Sequence, residues 1–226
     1  MALDATLRAA AKFQAQRQRA KRERHGRPQT SRLVIRPQDF MLKVRHTPTQ
    51  RLYILVVDSS GSMAAYQRMA QVKGMLLGLL REVYRHRDGV AVIAFRGAQS
   101  ELLLSPTRSP EAAQAFIEAL PTGGRTPLAH ALWRVEALLT QERRRRSAWT
   151  PVLVLVTDGR PNRSLSMADP LHESLTICQR LADSGLQAVV IDTEAGVIRL
   201  GLAAQFATAL AAPYIRLEAV LREGRP

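Results

Sequence analysis

The chain has 226 residues, 46% of them hydrophobic, and a formal charge of +14. That is enough for one sizeable core plus an extra arm, and it excludes wholesale disorder. The lone cysteine, Cys178, excludes an intrachain disulfide and makes a reducing cytoplasm the expected compartment. No apolar run approaches the roughly 18–20 residues of a membrane span, and residues 1–6 carry no signal-peptide core, so no membrane role is expected.

The positive charge is concentrated at the start, where residues 1–36 hold ten Lys/Arg against Asp4 and Glu23. Residues 2–24 read as a basic helix with a short apolar stripe at Leu3, Leu7, Ala10 and Phe13, stopped by Gly26 and Pro28. A connector follows, with a short strand at 33–35 and an edge strand at 40–44. Residues 1–50 are thus expected to form a basic helical N-terminal arm and connector, and residues 51–220 the main domain.

Leu52 to Val57 run apolar without a break into Asp58, the pattern of a strand buried on both faces. From Met63 to Tyr84 the apolar residues recur every three or four positions, a long amphipathic helix. Gly74 and Gly78, one turn apart in it, are expected to pack closely on the sheet. Residues 90–95 form a second strand, 101–104 a short third, and 111–120 a helix. The loop 121–127 is rich in Pro and Gly, and Thr126-Pro127 looks like a helix start, with the helix running to about Glu142. A fourth strand at 152–156 ends in Thr157-Asp158-Gly159. A helix at 169–184, a fifth strand at 186–192, a helix at 200–210 and a last strand at 213–217 complete the chain. This alternation predicts an α/β fold: a doubly wound, mostly parallel six-stranded sheet with helices on both faces.

In such sheets ligands bind beyond the carboxyl ends of the strands. Three loops there supply Asp58, Ser60 and Ser62; Thr126; and Asp158. Two carboxylates and three hydroxyls make an all-oxygen donor set, which suits a hard divalent cation such as Mg²⁺ and leaves a coordination position open. The absence of His and Cys from these loops argues against zinc. Taken singly, Ser62 and Thr126 are ordinary helix caps and Asp158-Gly159 an ordinary turn. Among the histidines, His130 lies one turn beyond Thr126, within reach of the site or of solvent. Arg125 is placed to rim the site.

The order Asp-x-Ser-x-Ser, then Thr, then Asp-Gly after a buried strand resembles a von Willebrand factor A-type domain with a metal-ion-dependent adhesion site. The resemblance implies Mg²⁺ held by Asp58, Ser60, Ser62, Thr126 and Asp158, directly or through water, with a partner's Glu or Asp filling the open position. Residues 5–11, 32–39, 57–63, 93–97 and 120–128 are further similar to the C-terminal part of magnesium chelatase D subunits. That resemblance implies a non-catalytic subunit working with an ATP-hydrolysing AAA+ subunit and a large tetrapyrrole-binding subunit, inserting magnesium or cobalt into a tetrapyrrole. The AAA+-like domain and acidic linker of full D subunits are not in this sequence, nor is a G-x-x-x-x-G-K-[ST] loop. A stand-alone or truncated D-like chain is the expectation, with ATP hydrolysis on another chain.

Three other readings compete. One is an adaptor of the same domain type serving an AAA+ ATPase outside tetrapyrrole synthesis. A second is an aspartate-nucleophile phosphatase, which lacks its general acid because Ser60 stands at the second acidic position. The third is nucleic-acid binding through the arm and Arg143 to Arg146. No aromatic residue interleaves that Arg run, so an acidic protein surface suits the charge better.

Overall fold

The computed structural model describes residues 50–59, 63–97, 99–120, 123–145, 148–195 and 199–223. The expected arm helix and the strands at 33–35 and 40–44 lie outside these residues, as do Ser60 and Ser62. Six strands and six helices are present among the described residues. They are β1 (Arg51–Asp58), α1 (Met63–Arg85), β2 (Gly89–Arg96), β3 (Gln99–Thr107), α2 (Pro110–Glu118) and α3 (Leu128–Arg144). β4 (Thr150–Thr157), α4 (Pro170–Asp183), β5 (Gln187–Asp192), α5 (Leu202–Ala209), β6 (Tyr214–Arg216) and α6 (Leu217–Glu223) follow. The last helix has no counterpart in the sequence reading.

The sheet order is β3-β2-β1-β4-β5-β6. All pairs are parallel except β2 with β3. The chain winds outward from β1 through β2 to β3, then returns to place β4 on the other side of β1. The direction of winding therefore reverses between β1 and β4, and the loops leaving these two strands part to make a crevice. In register, Val57 lies beside Val156. Asp58 and Asp158 thus leave adjacent strands at the same end of the sheet.

β1 is buried because both faces of the sheet are covered. Leu52, Ile54 and Val56 pack with α3, α4 and α5 residues such as Leu132, Ile177 and Phe206. Leu55 and Val57 pack with Leu76 of α1, Ile117 of α2 and Leu217 of α6. Each fully buried Leu, Ile or Val contributes about 1.5–3 kcal/mol relative to solvent, so the continuous apolar run of β1 is what a central strand requires.

Several local expectations change. β3 is longer than 101–104 and contains Pro106, which an edge strand tolerates because one side of its backbone needs no ladder partner. α2 and α4 start on side-chain caps: Ser109 Oγ accepts from Ala112 N, and Asp169 from His172 N. α3 does not start that way. Pro127 is its N-cap residue, without a side-chain bond, and Thr126 is one residue outside. Gly74 and Gly78 are exposed, and a Cβ on either would meet nothing within 4 Å. The buried face of α1 carries Met69, Val72, Leu76, Leu80 and Val83; at 100° per residue the two glycines fall on the opposite side, so they do not pack on the sheet.

Candidate metal centre

Three loop exits meet at the β1/β4 crevice and are tied to one another by hydrogen bonds. Gly123 N donates to Ser59 O at 2.8 Å, joining the loop before α3 to the end of β1. Gly97 N donates to Arg125 O at 2.9 Å, joining the same loop to the end of β2. Asn162 clasps Thr126 from the β4 side: Thr126 N donates to Asn162 Oδ1 at 2.8 Å, and Asn162 N donates to Thr126 O at 3.2 Å. The backbone of Thr126 is therefore held from two directions in a residue only 4% exposed.

The carboxylates are oriented as well. Thr157 Oγ1, fully buried, donates to Asp58 Oδ2 at 3.1 Å and accepts from Gly159 N at 3.1 Å. One hydroxyl thus aims the first aspartate and shapes the turn that carries the second. Asp158 Oδ1 accepts from Arg160 N at 3.1 Å in an Asx-type turn. Gly159 has φ of 76°, and a Cβ there would lie 2.4 Å from Ala203 N. The turn after β4 therefore sits directly on the backbone of α5, where only glycine fits.

Of the sequence-derived set, Asp58, Thr126 and Asp158 come from the three loops joined at this edge; Ser60 and Ser62 are outside the described residues. Carboxylate and hydroxyl oxygens at an open strand edge fit a hard divalent cation. Among the described residues no group of three or more His, Cys, Asp or Glu gathers as a metal cluster. A cation here would depend on hydroxyl donors beside the two aspartates.

Four positioning residues went unnoticed in the sequence. Ser59 bonds Phe95 O through both its N, at 3.2 Å, and its Oγ, at 3.3 Å, locking β1 to β2 beside the site. Thr157 and Asn162 act as described. Glu194, beyond β5, accepts from Leu200 N at 2.9 Å and Gly201 N at 3.0 Å, and pairs with Arg160 at 2.6 Å. Burial works against this carboxylate, yet the two amides and Arg160 hold its pKa down to about 2. Only the small polar type of Ser59 and Thr157 at the ends of apolar runs hinted at a role.

His130 does not serve the site. Its Nδ1 accepts from Ser100 N at 3.1 Å and lies 2.6 Å from Ser100 Oγ, tying α3 to β3. Burial, and then the charge of Arg134, lowers its pKa, as suits a ring nitrogen that must stay unprotonated to accept. Arg125 is exposed at the rim. Cys178 is fully buried in α4, which pushes its thiol up to about 12.

Comparison with known proteins agrees with the fold. A von Willebrand factor type A domain model matches residues 53–160, and an AAPxQ domain model matches residues 1–45. The magnesium-chelatase 60 kDa subunit of Cereibacter sphaeroides is 41% identical over 216 residues, covering 94% of this chain and 37% of that subunit. The protein MJ0910 of Methanocaldococcus jannaschii is 31% identical over 162 residues, covering 71% of this chain and 92% of that protein. The chain spans about a third of the length of most curated relatives it matches. Among solved structures, the vWF domain of the type V pili tip protein Mfa5 from Porphyromonas gingivalis superposes with a TM-score of 0.61 at 10% identity, covering 77% of this chain and 93% of that one. The chain belongs to the von Willebrand factor type A domain family and is similar to the C-terminal part of magnesium-chelatase D subunits.

Proposed function

We propose that the chain is a non-catalytic, Mg²⁺-dependent docking subunit of an ATP-driven metallochelatase. It would act with a separate AAA+ ATPase subunit and a large chelatase subunit in metal insertion into a tetrapyrrole, in the cytoplasm. The observation that carries this reading is the hydrogen-bonded union of three loops around Asp58, Thr126 and Asp158, in a chain similar to magnesium-chelatase subunits. Asp58 and Asp158 would supply the negative charge, and Ser60, Ser62 and Thr126 the neutral oxygens, with water completing the shell. A bound Mg²⁺ supplies a positive centre with room for a partner's Glu or Asp. Thr157 and Asn162 keep the donors in place before the partner arrives, which lowers the ordering cost of docking. Among the described residues no helix is long and apolar enough to cross a membrane.

The test is co-purification of the chain with its AAA+ and large subunits, with and without Mg²⁺. Asp58→Ala is expected to abolish the Mg²⁺-dependent complex while the thermal midpoint stays near wild type. Undiminished co-purification of a folded Asp58→Ala chain would sink the proposal.

A further inference from the structure

We propose that the cavity at the amino end of the sheet, between the last turn of α3, the start of β4 and the turn from α4 to β5, is a docking site for an acidic protein segment that inserts one aromatic or branched aliphatic side chain. It lies at the end of the sheet opposite Asp58 and Asp158 and needs no cation, so it stands apart from the docking function above.

The walls are apolar: Leu52, Leu139, Trp149, Pro151 and Leu186. Arg143, Ser184 and Gly185 also line the cavity, and all three are exposed, so it opens to solvent on their side. Its volume is about 270 Å³. That is below the roughly 300–1,000 Å³ of pockets that hold drug-sized ligands, so it suits one side chain and is too small for a nucleotide or a tetrapyrrole. The walls are set before anything binds. Gly185 turns the chain at φ of 77°, its N donates to Ala182 O at 2.9 Å, and Ser184 Oγ donates to Leu181 O at 2.7 Å. Little conformational entropy is lost on docking to such a site.

The charge around the mouth selects the partner. Arg143 reaches Ser184 O at 3.5 Å across it, and Arg108 lies over the Trp149 ring. Arg144 and Arg145 stand at the same end of α3. Two carboxylates oppose them. Glu142 lines the cavity and is paired with Arg145 at 3.5 Å; Asp183 precedes Ser184. Among the described residues no carboxylate pairs with Arg108, Arg143 or Arg144. The macrodipole of α3 accounts for cations in its last turn, but Arg108 comes just before the Ser109 cap of α2, where a cation is unfavourable. Guanidinium groups around an apolar cavity complement a segment that carries Asp or Glu beside an apolar side chain, and they repel a basic one. Nucleic acid is the weaker match, because stacking needs an open aromatic face. The Trp149 ring is already seated against Gly89 and under Arg108.

Trp149 is also the reporter. The chain has two tryptophans, and Trp133→Phe removes the other, which is half exposed on α3. This variant is titrated in EDTA with short peptides of Asp and Glu around one central Phe, Leu or Ser, with a Lys-based peptide around Phe, and with single-stranded oligothymidylate. The Phe and Leu acidic peptides should bind and change the Trp149 emission. The Ser peptide should bind at least about tenfold more weakly, and the Lys-based peptide should not bind. Arg108→Gln/Arg143→Gln, added to the reporter chain, should weaken the Phe peptide at least about tenfold. Arg81→Gln/Arg222→Gln loses the same charge on α1 and α6, which cover the other face of the sheet, and should leave the affinity unchanged. Thermal midpoints confirm that each variant is folded. Equal affinity for the Phe and Ser peptides overturns the cavity's role, and equal weakening by the two arginine pairs overturns the local charge. Binding of the Phe peptide weaker than about 1 mM, or tighter binding of oligothymidylate with the same emission change, overturns the proposal. None of these outcomes bears on the metal-centred function, since Mg²⁺ is absent throughout.

Discussion

At the carboxyl end of the sheet, loops are held by backbone amides and short polar side chains; at the amino end, the turns are sealed by an indole ring. Trp149, just before β4, packs against Gly89 at the start of β2, where an added Cβ would come 2.8 Å from the ring. The Arg108 guanidinium lies over the same ring, 5.5 Å from its centroid. Leu52, Pro151 and Leu186 flank Trp149 around a cavity of about 270 Å³. Apolar contacts of this kind give stability without direction, since dispersion and water exclusion hardly depend on angle. The hydrogen bonds of Ser59, Thr157 and Asn162 are angular, and they fix where oxygen atoms point. One end secures the fold, and the other aims donors.

Breaking the polar end at its tightest point should have the largest effect. Gly159→Ala would force both a strained φ and a clash with the Ala203 backbone. A loss of about 3 kcal/mol in urea unfolding is expected, together with weaker Mg²⁺ binding by calorimetry. A wild-type midpoint would show that α5 yields at no cost.

The next effect is on pH. The Glu194 carboxyl sits at about 2 in the fold against 4.5 as its ordinary value. Its depressed pKa means that the unfolded chain takes up the proton first as pH falls. The stabilisation is complete above about 4.5 and is lost between about 4.5 and 2. A contribution on the order of 2 kcal/mol is expected, visible as a shallower acid unfolding profile in Glu194→Gln. Identical acid limbs for the two proteins would remove Glu194 from the account.

Breaking the apolar end should cost less and leave the metal centre alone. Gly89→Ala requires the indole of Trp149 to shift, for about 1–2 kcal/mol, with Mg²⁺ affinity unchanged. A parallel loss of Mg²⁺ affinity would mean that the two ends are not separable. The smallest effects have the opposite sign. Gly74→Ala and Gly78→Ala lie in the open on α1, and each should stabilise by about 0.5–1 kcal/mol in the same urea assay. Destabilisation by either would show that something covers that face of α1.

The strands were legible because a doubly covered sheet demands continuous apolar runs, and β1, β2 and β4 carry them. Asp58 and Asp158 stood out in the sequence because they follow apolar runs, and Thr126 because it closes a Gly-rich loop before a helix; the structure brings their three loops to one edge of the sheet, and their part in holding a cation is the reading proposed above. Local pattern failed where it has two meanings. A glycine pair one turn apart can mark close packing or bare surface, and only the position of Met69, Val72 and Leu76 decides. Thr before Pro-Leu resembles a cap, yet its backbone is engaged by Asn162, 36 residues away. Glu194 was invisible for the same reason: its partner Arg160 lies 34 residues back, across the edge of the sheet.

The burial of Cys178 in α4 provides a measuring device for all of these variants. The chain's lone thiol is inaccessible, and its apolar surroundings disfavour the charged thiolate. A thiol reagent can reach it only while α4 is detached from the sheet. Its labelling rate in native buffer therefore counts how often the core opens. Substitutions at the proposed metal centre that disturb only the proposed docking should leave that clock unchanged, and those that loosen the sheet should speed it.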